Sequence, residues 1–318
     1  MDNNKLVNLH KEFIDQLTYM EKLAPTTIKG YETTFKLLIQ CFPDITLVMI
    51  DSKMINHFFR WLDKRERTIG RDKVVKSIKK STVATHWSGL SRFFKWLKAH
   101  NHIDSNPFDS EELEYPVVQY EDRKYLRKRE VERIMASINF HIDWRNSFIR
   151  KRNFAIINTF LYTGIRSGEL LGLKLESVDF NNNELTINPE TSKSRRLRVV
   201  PINNKLKVAL QDYLKERKII EDKSEYLWVS GRGSKFTNYG LKHTKDQIVK
   251  KSGVKFHLHQ FRHTFAVNYL NVSKYNYYKL QQLLGHKDPR MTAKYTRSLP
   301  TGVMKGDCEL IRVDDLIE

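Results

Sequence analysis

Apolar residues in the first third of the chain recur at three- and four-residue spacing: Leu6, Leu9, Phe13, Leu17 and Met20, then Ile28, Tyr31, Phe35 and Leu38. That period belongs to amphipathic helices, and Pro25 separates the two. A third helix is expected to start with Asp51 or Ser52 as its cap and to carry Ile55, Phe58, Phe59 and Leu62 on one face. A fourth carries Val83, Trp87, Leu90, Phe94 and Leu97. Between these two, Lys64 to Lys80 is rich in Lys and Arg and poor in apolar residues, and reads equally as a solvated loop or as a strip lying along phosphates. The pattern then fades. Asn106-Pro107 stops any helix and Asp109 to Glu114 is acidic and polar, which places a linker at 109–124 between a helical domain at 1–108 and a second domain at 125–318.

The second domain has a mixed pattern. Helices are predicted at Arg127 to Ser137 and Arg150 to Tyr162, then short alternating runs, then helices again to about Leu299. Glu184-Leu185-Thr186-Ile187-Asn188 and Leu197-Arg198-Val199-Val200-Pro201 read as two strands joined by a polar, basic turn containing Lys193. The expected fold class is therefore mainly α, with a small β-hairpin or three-stranded sheet set into the second domain.

Composition adds a partner to this outline. A chain of 318 residues suits two domains of roughly 100–200 residues each. Its 56 Lys and Arg against 37 Asp and Glu leave a net charge of +19, which implies a polyanion, and nucleic acid fits better than a membrane. No apolar stretch reaches the length of a bilayer span, and Met1-Asp2-Asn3-Asn4 does not open a signal peptide, so the expectation is a cytoplasmic protein. Cys41 and Cys308 are too few and too isolated for a disulfide framework or a metal site and read as free thiols.

Three clusters carry candidate chemistry. In Leu161-Tyr162-Thr163-Gly164-Ile165-Arg166-Ser167-Gly168-Glu169-Leu170-Leu171, Gly164 breaks one helix and the next begins near Arg166, which puts Arg166 and Glu169 on one face. A surface ion pair would be the ordinary reading, but apolar flanks shelter this Arg, and a sheltered guanidinium suits a carboxylate or phosphate. In His257-Leu258-His259-Gln260-Phe261-Arg262-His263, His259 and Arg262 share a face; polar surface is the plain alternative, and no further ligand supports zinc on His259 and His263. In Leu283-Leu284-Gly285-His286-Lys287-Asp288-Pro289-Arg290-Met291-Thr292-Ala293-Lys294-Tyr295, Gly285 ends a helix and Asp288-Pro289 opens another, with Tyr295 in its second turn. Packing would explain that Tyr taken alone. The ordered series of two Arg, two His, a Lys and a Tyr is far more specific than any one of its members.

That series resembles the tyrosine recombinases, the phage-integrase and Xer-like enzymes. Arg166 matches their Thr-Gly-x-Arg-x-x-Glu-Leu box, Lys193 their hairpin lysine, His259 and Arg262 their His-x-x-Arg, His286 their Leu-Gly-His, and Tyr295 their nucleophile. Phe261 stands where Leu is usual, and Thr191 to Arg196 lacks the usual turn glycine, which keeps Arg195 and Arg196 as competitors to Lys193. The N-terminal third resembles the family's core-binding domain through its Thr27/Tyr31 helix and its Phe93-Phe94-Lys95-Trp96 helix.

The resemblance implies a helical core-binding domain joined to a mixed α/β catalytic domain. It also implies a site-specific recombinase or integrase that cuts and rejoins double-stranded DNA through a 3′-phosphotyrosyl intermediate, with no metal, cofactor or ATP. Arg166 and Arg262 would neutralise the phosphate, Tyr295 attack it, Lys193 protonate the leaving 5′-oxygen, His259 and His286 assist proton transfer and Glu169 orient its neighbours. The implied partners are a specific recombination site and three further copies in a tetramer, with the tail from Cys308 to Ile317 docking on a neighbour or, alternatively, on its own domain. A mobile-element integrase is the favoured task. The competing readings are a type IB topoisomerase with the same chemistry and a DNA-binding regulator on the same fold without activity.

Overall fold

The computed structural model describes residues 3–69, 73–118, 125–189, 197–220, 224–293 and 295, and the chain divides into two compact units, Met1–Tyr120 and Glu121–Glu318. The mainly helical class with small antiparallel sheets agrees with the sequence pattern. Lys193, Arg195, Arg196 and the tail beyond Tyr295 lie outside the described residues.

In the first unit, α1 (Asn3–Asp15) continues through a wider π-helical turn, Gln16–Met20, to α2 (Pro25–Cys41), whose first position is the proline. Proline is tolerated there because the N–H it lacks would have had no helical partner. α3 (Ser52–Lys64) is capped by Asp51, whose carboxylate accepts from the Met54 N–H at 2.7 Å, and α4 (Lys80–Ala99) follows. The apolar stripes meet in a core of Leu6, Phe13, Leu38, Ile55, Phe58, Phe93 and Phe94, all almost completely buried. His10 sits inside it, stacked on Phe35 at 3.7 Å between ring centroids and edge-on to Phe93 at 5.0 Å; burial pushes its pKa down to about 4.

The basic stretch after α3 holds a short hairpin rather than a plain loop. β1 (Arg67–Ile69) and β2 (Lys73–Val75) pair antiparallel, Thr68 opposite Val74. Asp63 anchors the base of this hairpin, its carboxylate accepting from the Ser77 hydroxyl at 2.7 Å and the Ile78 N–H at 3.2 Å. Strands of three residues are too short to display alternation, so the charge run conceals them.

In the second unit α5 (Lys128–Ala136) precedes α6 (Ser147–Thr163), the helix around which the unit packs. Ala155, Ile156, Ile157 and Phe160 of α6 are all buried, and Asn146 caps its start by accepting from the Ile149 N–H at 2.9 Å. Gly164 ends it in the left-handed conformation (φ 60°), and a short α7 (Ser167–Leu171) follows. β3 (Val178–Asp179), β4 (Glu184–Ile187) and β5 (Arg198–Pro201) form an antiparallel sheet in chain order, with Leu185 opposite Val200. α8 (Asn204–Arg217) lies against α6, α9 (Asn238–Ser252) against α5, and α10 (Leu258–Val272) also against α6. Phe261, the departure from the usual Leu, stacks on Phe160 at 5.9 Å within this core.

α11 (Tyr277–Leu284) ends at Gly285, again left-handed (φ 64°), and α12 is a single turn, Arg290–Ala293. Tyr295 therefore lies beyond α12 rather than in a second turn of it. Its N–H bonds the Thr292 carbonyl three residues back, at 3.0 Å, the tight closure typical of a helix end. No helix among the described residues is long and apolar enough to cross a membrane.

Candidate active site

The site is built where the two left-handed glycines bring helix ends together. Gly164 exposes its carbonyl at the end of α6, and the chain then enters α7 at Arg166, the residue before its first turn. Glu169, three residues on, accepts from the Arg166 backbone N–H at 2.9 Å through one carboxylate oxygen and from Arg166 Nη1 at 2.9 Å through the other. The pairing expected between these two is thus present, but Glu169 is far from a surface partner. It is 1% exposed.

Burial at that depth requires more compensation than one guanidinium supplies, and Arg198 on β5 provides it. Arg198 Nη1 and Nη2 donate to both Glu169 oxygens, at 3.0 and 2.7 Å, while its Nε donates to the Leu283 carbonyl at 3.0 Å. Burial alone would raise the Glu169 carboxyl; the hydrogen bonds and charge of Arg198, then those of Arg166, more than offset it and hold the group down to about 2. Arg198 was absent from the expected site. The clue lay in its strand phase: Arg198 and Val200 point inward and Leu197 and Val199 outward, so a charged residue shares the core-facing register.

Arg262 projects from the second turn of α10 and is 1% exposed. Nη1 donates to the Gly164 carbonyl at 2.8 Å; Nη2 donates to the Leu284 carbonyl at 2.8 Å and meets His286 Nε2 at 2.8 Å. Among the described residues these acceptors take three of its five N–H groups. Burial, and then the charge of Arg166, pushes Arg262 down to about 10, which still leaves it cationic at neutral pH. His286 is buried too, its Nδ1 lying 2.8 Å from Thr292 Oγ1. Burial and the surrounding Arg262, Arg166, Arg198 and His259 push its pKa down to about 3, so the ring is neutral.

Tyr295 closes the cluster. Only 7% exposed, it packs on Ala266, Leu270, Leu280 and Leu284, with its ring 5.0 Å from that of His263 and 6.1 Å from that of His286, nearly parallel to the latter. Tyr295 and Arg166 both lie close enough to Arg262 to act on its titration, so the phenol and the two guanidinium groups belong to one cluster. His259, at the start of α10, is exposed at the rim and close enough to His286 to influence its titration. The structure therefore brings together Arg166, Glu169, His259, Arg262, His286 and Tyr295. It adds Arg198 and Thr292, and Lys193 falls outside the described residues.

Arg166 and Arg198 share the Glu169 carboxylate, while the bonds of Arg262 among the described residues go to two carbonyls and a neutral imidazole. Among the described residues only Glu169 supplies a carboxylate to these three cations, an excess of positive charge on buried and half-buried groups that favours an anion. Among the described residues no three His, Cys, Asp or Glu side chains converge as a metal site.

Comparison with known proteins points the same way. The model of the phage integrase family matches residues 124–301, and that of the phage integrase SAM-like domain matches residues 5–115. Tyrosine recombinase XerC of Oceanobacillus iheyensis is 25% identical over 291 residues, covering 89% of each chain. XerC of Leptospira interrogans serovar copenhageni is 28% identical over 289 residues, covering 90% of this chain and 87% of its own. Two solved structures share the fold at lower identity. The Tn1549 transposon integrase in complex with a circular intermediate DNA has a TM-score of 0.75 at 18% identity, covering 96% of this chain and 99% of its own. XerH bound to a palindromic difH substrate has a TM-score of 0.70 at 19% identity, covering 96% and 89%.

Proposed function

The chain belongs to the phage integrase family of tyrosine recombinases, and on that footing we propose that it cuts and rejoins double-stranded DNA at a specific site through a covalent bond to Tyr295. The observation that carries this reading is the packing of a phenol against His286, whose Nε2 meets the buried Arg262 guanidinium, a fork with N–H groups to spare among the described residues. A phosphodiester anion entering the recess would receive the remaining donors of Arg262 and those of Arg166 on its non-bridging oxygens, where charge builds as a fifth oxygen approaches phosphorus.

The step balances without an external energy source. The Tyr295 oxygen bonds to phosphorus and the bond from phosphorus to the 5′-oxygen breaks. The phenolic proton leaves as attack proceeds, and the exposed His259 takes it. Lys193 gives a proton to the departing 5′-oxygen, and a 5′-hydroxyl from another strand reverses the sequence. Glu169 and His286 hold Arg166 and Arg262 in place.

Residues 1–108 serve as the helical DNA-binding domain, 109–124 as the linker and 125–318 as the catalytic domain, a division supported by the two compact units and the two matched family models. Exchange between two duplexes calls for four copies on DNA, and a net charge of +19 suits work in the cytoplasm on a polyanion.

The test is a duplex carrying a nick beside the cut, which traps the covalent adduct. Wild type should give a denaturation-resistant protein–DNA adduct that forms equally in EDTA, and Tyr295→Phe should give none. Equal yield from both would remove Tyr295 from its role. Two duplexes with distinguishable flanks then separate strand exchange from simple relaxation.

A further inference from the structure

The protonation pattern around His286 follows from one fact about its neighbour: arginine only donates. Arg262 Nη2 lies 2.8 Å from His286 Nε2, so that nitrogen must present a lone pair. A proton on it would set two N–H groups head to head, which rules out both the Nε2–H tautomer and the imidazolium. The single proton of the neutral ring is therefore on Nδ1. The atom it faces is Thr292 Oγ1, 2.8 Å away and 98% withdrawn from solvent along with the rest of its residue. Thr292 does a second thing, since its carbonyl accepts the Tyr295 N–H at 3.0 Å.

Resting on the recombinase reading, we propose that Thr292 is a positioning residue that holds His286 as its Nδ1–H tautomer and so couples the docking of the Tyr295 segment to the orientation of Arg262. The chain of contacts is continuous: Tyr295 backbone to Thr292 carbonyl, Thr292 hydroxyl to His286 Nδ1, His286 Nε2 to Arg262. When α12 sits in place, the imidazole offers Arg262 an acceptor. When it does not, the Nδ1–H loses its partner, the ring is released to take the other tautomer, and Arg262 Nη2 loses one of its two acceptors, keeping the Leu284 carbonyl. A subunit with a displaced nucleophile would thereby also have a mis-set guanidinium, and cutting would require both to be right.

The full-length protein labelled with [15N]histidine reads the tautomer directly, with His286→Gln identifying the relevant signals. Wild type should show Nδ1 protonated and Nε2 bare. Thr292→Ser keeps a hydroxyl and should retain adduct formation on the nicked duplex, whereas Thr292→Val, equal in shape, should lose about 10- to 100-fold in its rate while binding DNA as before. An Nε2–H or doubly protonated His286 in wild type overturns the proposal, as does a Thr292→Val that cuts at the wild-type rate. The wild-type spectrum decides the matter even if Thr292→Val fails to fold. Absence of any Tyr295 adduct from wild type would instead count against the recombinase reading itself.

Discussion

Arg198 lays two nitrogens on the carboxylate of Glu169, at 3.0 and 2.7 Å, from a strand 29 residues further along the chain. Glu169 thus serves two guanidinium groups. The Arg166 side chain is 20% exposed, whereas that of Arg198 is 6% exposed and also reaches the Leu283 carbonyl near the end of α11. The carboxylate aligns the first against the second, so the geometry of Arg166 depends on a buried residue of the sheet.

Removing one member of that trio should be costly because the rest stays buried. Arg198→Met is expected to destabilise the fold by about 3–5 kcal/mol, the range for stranding a buried charge, and Glu169→Gln by a similar order. Arg198→Met combined with Glu169→Gln should cost clearly less than the two singles added together, since both members of the buried Arg198–Glu169 pair are then removed and only Arg166 loses a partner. Urea unfolding of the four proteins measures this. Strict additivity would mean that the pair is not coupled.

His10 predicts a pH dependence centred in the first unit. In the unfolded chain an imidazole binds its proton near 6.5, while in the aromatic core His10 does so near 4. Over that interval the unfolded state binds the additional proton, so His10's contribution is complete above about pH 6.5 and declines as the pH falls towards 4. His286 acts in the same direction and over a wider window, down to about 3. His10→Phe keeps a ring against Phe35 without the titration, and its melting temperature should fall less between pH 7 and 5 than that of wild type. Trp61, Trp87 and Trp96 report on this unit. Equal slopes in the two proteins would show that His10 does not titrate as its burial requires.

Much of this site was legible in the sequence because its parts lie in short ordered motifs, and a motif survives translation into three dimensions when a helix carries it. Arg166 with Glu169 and His259 with Arg262 needed only the helical period, although burial separated the latter pair into an exposed rim residue and a fully covered one. Arg198 was missed because a run of Leu, Val and Val around it reads as a strand whichever way it faces, and only the register shows which residues point in. Thr292 was missed because its importance rests on one hydroxyl meeting one ring nitrogen, a relation that no periodicity encodes. The pairing of β1 with β2 was hidden by charge, and the position of Tyr295 past α12 depends on a tight turn at the end of a helix.

Gly285 should tolerate substitution poorly for two separate reasons. Its φ of 64° lies in the left-handed region, and a Cβ there would come within 3.1 Å of Arg198 Cδ and Nη1. Gly285→Ala is expected to lose about 1–2 kcal/mol from the backbone alone, with a further penalty if Arg198 is pushed off Glu169. Gly168→Ala is the control, since a Cβ there meets nothing within 4 Å in the short α7. It should be neutral or slightly stabilising. Thermal unfolding of both variants measures the contrast, and equal effects would exclude the Arg198 contact as a cause.

Arg262→Lys tests whether charge or shape matters in the recess. The substitution keeps one positive charge, but it exchanges a planar fork for a point donor. The fork reaches the Gly164 carbonyl with Nη1, and the Leu284 carbonyl and His286 with Nη2. An ammonium placed to satisfy the last two would leave the Gly164 carbonyl unpaired at the end of α6, and it would have no second nitrogen to direct at a phosphate oxygen. The expected result is a fall of about 10²–10³-fold in adduct formation, the usual cost of losing a preorganised donor to a developing oxyanion. Affinity for duplex DNA, governed by many phosphate contacts spread over a strongly basic chain, should change little. Adduct yield against time and a mobility shift separate the two effects. Cutting at the wild-type rate by Arg262→Lys would mean that a cation anywhere in the pocket suffices and that the fork's three fixed acceptors are irrelevant to the chemistry.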